Sequence, residues 1–148
     1  MHYAGQCLVG LCMAPSVGLC LAQASPGVAL VESGLNAYVK DGATAALSAW
    51  LKGSALEGNP QATTQSNALK QIEDFYGKPE SFQILGDSAI SERSRMITFT
   101  VNHQKGPVFG RMQVYRLPSG QWVSTEFKFH SDASQIFPPA MIFGKGEV

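Results

Sequence analysis

The sequence predicts an α+β domain in which N-terminal helices pack on a curved antiparallel β-sheet meander. Three observations carry that reading. Apolar residues recur at helical spacing as far as Tyr76, and at a spacing of two from Glu80 onward. The period-two segments are joined by short turns rich in Gly and Pro. Helices followed by strands is the α+β order.

Before the first helix lies a leader. Every charged residue falls from Glu32 onward, and Cys7 to Leu21 is almost wholly apolar or small. Ala22-Gln23-Ala24 places small residues where a signal peptidase reads them, so residues 1–24 are expected to be a signal peptide cleaved after Ala24. Residues 25–148 then form a single domain in the periplasm or outside the cell, with no membrane span. The leader lacks the usual basic start, since only the α-amino group and His2 could carry charge there. An uncleaved membrane anchor is the rival, and Pro15 interrupts the run it would need. Cys7, Cys12 and Cys20 are preceded by Gln6, Leu11 and Leu19, which do not suit lipidation. All the cysteines fall in the leader, so the mature chain is expected to rely on its core without disulfides. With a formal net charge of zero and no Lys/Arg run, the chain lacks the footprint of a nucleic-acid binder.

Val28 to Gly53 reads as two helical pieces. Val31, Leu35, Tyr38 and Val39 share one face, and Leu47, Trp50 and Leu51 continue it beyond a joint at Asp41-Gly42. Asp41 is expected to N-cap the second piece and Gly53 to end it. Ser54 to Thr64 reads as a loop. A third helix is expected from Thr63 or Thr64, with Leu69, Ile72, Phe75 and Tyr76 on one side and a stop at Gly77-Lys78-Pro79.

A short strand around Phe82 and Ile84 is expected to bend at Gly86-Asp87-Ser88. Three strands then run from Arg93 to His130, turning at Lys105-Gly106-Pro107 and Pro118-Ser119-Gly120. Alternation puts Ile97, Phe99, Val101, Val108, Met112, Val114, Val123, Thr125, Phe127 and Phe129 on one face. Met96, Phe109, Arg111, Tyr115, Trp122, Ser124 and Glu126 take the other. Beyond Ser134 a tail carrying Ile136, Phe137, Met141, Ile142 and Phe143 is expected to pack back in part.

Leu35-Asn36-Ala37-Tyr38-Val39-Lys40-Asp41-Gly42, followed by Ala45-Ala46-Leu47 and closing hairpins that end in Gly120-Gln121-Trp122-Val123, resembles the nuclear transport factor 2-like superfamily. The related cystatin-like fold has nearly the same order of elements. The resemblance is one of pattern over most of the domain. It implies a cone-like α+β fold with a pocket between helices and sheet. It fixes no activity, because such domains include isomerases, dehydratases, carriers and interaction modules.

The inner face offers little chemistry. A general base needs a titratable group within hydrogen-bond reach of its proton, and no Asp, Glu or His lies mid-strand there. The expected pocket wall is Phe99, Met112, Thr125, Phe127 and Tyr38. Its ligand would be small and hydrophobic. His103 reads as a solvated turn residue and His130 as a strand end. Glu126 and His130 share a face but stand about 13 Å apart in an extended strand. No spacing suits a metal, and no cofactor fingerprint occurs. The outer face, with Met96, Phe109, Arg111, Tyr115 and Trp122, reads as a partner surface suited to a homodimer. The expectation is therefore a non-enzymatic exported domain that binds a hydrophobic small molecule or a protein. A pocket enzyme of isomerase or hydro-lyase type, using Tyr38, Tyr76, Asp74 or His103, is the alternative. A structural subunit of an envelope assembly is the third.

Overall fold

The computed structural model of the protein describes residues 24–144. Three helices, α1 (Pro26–Asp41), α2 (Ala43–Leu51) and α3 (Pro60–Tyr76), precede four strands. These are β1 (Pro79–Ser91), β2 (Ser94–His103), β3 (Gly106–Arg116) and β4 (Trp122–His130). Each strand is antiparallel to the next, and they lie side by side in chain order. One 3-10 turn and a single helical turn, α4 (Pro139–Ile142), follow β4. The expected architecture of N-terminal helices on a curved antiparallel meander is the observed one.

Local chemistry sets the helix ends. Ser25 caps α1, its hydroxyl accepting from the Val28 N–H at 3.3 Å, and Pro26 follows where a missing N–H costs nothing. Asp41 does not cap α2 as expected. It is the last residue of α1, and Gly42 alone makes the joint, with φ +87° and its N–H bonded to the Tyr38 carbonyl. Such a φ suits glycine. α3 starts earlier than expected because Asn59-Pro60 repeats the cap-then-proline pattern, the Asn59 side chain accepting from the Gln61 N–H at 2.9 Å. Its buried residue is Leu69; Phe75 is 72% exposed rather than on the packed side.

Two strands depart from simple alternation. β1 is continuous where a bend was expected, because a register shift between Ile84 and Gly86 leaves Leu85 as an extra, exposed residue. In β4, Gln113 faces Glu126 but Val114 faces Ser124, so Thr125 is extra. Every residue before this bulge therefore exchanges faces. Ser124 and Trp122 turn inward, and Val123 pairs with the outward Tyr115.

The core lies between α1, α2 and the inner sheet face. α1 touches all four strands. Trp50 of α2 is fully buried, its ring 6.4 Å from those of Phe99 and Phe127 and 5.7 Å from Phe129. Its indole N–H donates to the Val31 carbonyl at 3.0 Å, which fixes α2 on α1. Two glycines make room for these rings. The indole lies against the backbone of Gly34, and the Phe99 ring against that of Gly110, in space a Cβ would occupy.

Candidate functional site

Trp50 decides the fate of the expected pocket. Phe99, Met112 and Tyr38 are at most 1% exposed and Phe127 only 7%, and the indole covers the sheet where a ligand was expected. These four residues do come together, as packed core. Thr125 does not join that core, although with Phe127 it lines a depression beside α3. The bulge turns the threonine to solvent, where its hydroxyl donates to the Gln113 carbonyl at 3.3 Å. Ser124 takes the inward place and donates to the Trp50 carbonyl at 2.7 Å.

The outer face is divided. The same bulge moves Trp122 to the inner side, opposite Arg116 and beside Gly27 of α1, so it leaves the expected partner surface. The chain's own C-terminal segment covers another part of it. Phe137 packs edge-on to Phe109 at 5.5 Å, and Arg111 donates to the Ile136 carbonyl at 3.5 Å. Arg111 also faces Glu126 at 3.8 Å. Met96 and Tyr115 remain half-buried, with the Arg93 guanidinium 5.0 Å above the Tyr115 ring. His130 accepts from the Asp132 N–H at 2.8 Å, as suits a strand end.

Concave surface is found instead beside α3. An open groove of about 390 Å³ runs between α2 and α3, with Leu47, Leu51 and Ala62 among its lining and Ser66, Asn67 and Lys70 along α3. A second depression of about 240 Å³ meets it at Ala62 and is lined by Leu56, Gln65, Thr125 and Phe127. The sequence holds one signal for this groove: residues 60–67 are small or polar throughout, and in the structure this half of α3 flanks α2 without closing on it, Leu69 being the buried residue of the helix.

The residues considered for catalysis separate into two groups. Asp74 is exposed, and Tyr76 packs against Phe75 at 4.8 Å. Tyr38 and His103 are buried together, their rings 5.8 Å apart. His103 is thus no solvated turn residue: its Nδ1 lies 2.7 Å from the Gly77 carbonyl. A carbonyl only accepts, so Nδ1 carries the hydrogen. Glu73, one position before the expected Asp74, faces Tyr38 from α3. Burial, and then the charge of Glu73, hold the Tyr38 phenol well above its ordinary range, so it stays protonated.

A separate polar link joins α1 to the sheet. The Ser25 hydroxyl donates to Asp87 at 2.7 Å, and Asp87 accepts from Arg95 Nε at 2.6 Å. Among the described residues, no cluster of three or more His, Cys, Asp or Glu is placed to hold a metal ion. No helix among them is long and apolar enough to cross a membrane. The three cysteines and nearly all of the expected leader lie outside the described residues. Comparison with family models, curated proteins and solved structures finds no match.

Proposed function

We propose that this chain is an exported, non-enzymatic binding domain that takes a small hydrophobic or amphipathic ligand in the groove between α2 and α3. The observation that carries the reading is the filled inner face. With Trp50 over Phe99 and Phe127, a ligand must bind outside the core. The groove has the size of a small-molecule site. Leu47 and Leu51, core residues 4% and 5% exposed, form only the floor, and half-buried Ala62 the apolar wall, while Lys70, roughly two turns along α3 from Ala62, would face a polar head. A protein partner inserting an apolar side chain would use the same floor. For a second copy of the chain, the outer sheet face keeps Met96 and Tyr115 outside the stretch that the C-terminal segment covers.

The test is titration with an environment-sensitive apolar dye and with medium-chain fatty acids as competitors. Saturable binding with one site per chain is expected, abolished by Ala62→Trp while the far-ultraviolet circular dichroism stays unchanged. Absence of saturable binding, or binding indifferent to Ala62→Trp, would overturn the reading.

A further inference from the structure

At the end of the sheet where the β1–β2 and β3–β4 turns meet, Arg93 and Arg116 stand opposite one another. The Arg116 N–H donates to the Arg93 carbonyl at 2.8 Å, and Arg93 Nε returns a bond to the Arg116 carbonyl at 2.9 Å. Like charges facing each other across strands destabilise a sheet, so this pair calls for a counter-charge. No acid supplies one among the described residues. Arg95 pairs with Asp87 and Arg111 with Glu126, but Arg93, Arg116 and the neighbouring Glu92 form no ion pair.

Both arginines line one open depression of about 400 Å³, whose remaining wall is Leu117, Pro118, Ser119 and Gly120. No carboxylate lines it. Arg93 is half-buried and held in place by its bond to the Arg116 carbonyl and by the Tyr115 ring, 5.0 Å beneath its guanidinium. A cation fixed beforehand spares a bound anion the cost of ordering it. Arg116 is exposed and borders the same space. Ser119 Oγ accepts from the Gln121 N–H at 3.4 Å, which leaves its own hydrogen to donate. Guanidinium forks suit the oxygens of phosphate, and two positive charges suit a dianion. Leu117 and Pro118 offer apolar wall to an organic group attached to it.

We propose that Arg93, Arg116 and Ser119 form a binding site for a dianionic phosphate group, free or carried on a small organic ester. The site stands apart from the α2–α3 groove, with which it shares no lining residue.

Calorimetric titration of the full chain with phenyl phosphate, inorganic phosphate and benzoate tests this at about pH 7.5, where a phosphate ester is dianionic. Saturable binding of phenyl phosphate at one site per chain is expected, with benzoate weaker by at least about tenfold. Inorganic phosphate binding as tightly as phenyl phosphate supports the site with the free anion as ligand; weaker binding supports it with an ester. Arg116→Gln, a change at an exposed position, should weaken phenyl phosphate at least about tenfold. It should also remove the rise in melting temperature that phosphate gives over sodium chloride of equal ionic strength. Arg111→Gln, which changes a cation outside the depression, should leave both unchanged. No saturable binding, benzoate bound as well as phenyl phosphate, or equal losses in the Arg116 and Arg111 variants would overturn the proposal without touching the groove.

Discussion

The Ser124 hydroxyl, fully buried on β4, donates to the backbone carbonyl of Trp50 at 2.7 Å across 74 positions of sequence. That bond joins the residue the bulge turns inward to the residue that fills the core. Ser124→Ala leaves the carbonyl without this donor, and a buried unsatisfied group costs about 1–3 kcal/mol. Neighbouring Thr125 is exposed, so Thr125→Ala should stay within about 0.5 kcal/mol. Urea denaturation of the two variants distinguishes them, and equal losses would refute the assignment of faces.

Trp50 and Gly34 should each be intolerant of change, in opposite senses. Trp50→Ala opens the centre of the core and is expected to cost about 3–5 kcal/mol. Gly34→Ala places a methyl group where the indole lies, an overpacking expected to cost about 1–3 kcal/mol. Thermal unfolding followed by circular dichroism measures both.

Acid sensitivity should trace in part to Asp87. Burial alone would raise its carboxyl, but the hydrogen bonds from Arg95 and Ser25 outweigh it and hold the group below its ordinary 3.8. A carboxyl lowered on folding stabilises the native state above its unfolded value and loses that contribution as pH falls through the folded one. Native stability should therefore drop below about pH 4, and Asp87→Asn should be less stable at neutral pH and show a shallower acid limb. A parallel acid limb in the variant would contradict this role.

Export gives a prediction of its own. The N-terminal sequence of the protein recovered outside the cytoplasm should begin at Ser25, the residue that caps α1 and binds Asp87. Recovery with Met1 intact would count against cleavage after Ala24.

The order of elements was legible because the change from helical to period-two spacing near Pro79 is strong and the hairpin turns are marked by Gly and Pro. The bulge at Thr125 was not. Alternation carries no sign of an extra residue, so it puts Ser124, Thr125, Val123 and Trp122 one face off. The same limit applied to the interior. An apolar inner face is the pattern of a pocket wall and of plain core alike, and only the position of Trp50 separates them. Spacing does not separate Glu73 from Asp74: one step along a helix rotates a side chain by about 100°, and nothing local fixes which of them faces α1. The burial of His103 is hidden for a related reason: its turn looks exposed in sequence, yet the α3–β1 connection folds over it.

The central claim, that Trp50 closes the interior and leaves binding to the surface, is tested most directly by acrylamide quenching of Trp122→Phe, whose remaining tryptophan is Trp50. Blue-shifted emission, quenched slowly and to the same extent with or without saturating dye or fatty acid, is the expected result. Ready quenching of the free protein, or an emission shift as ligand enters beside the ring, would show that the space over Phe99 is a pocket and would contradict the account.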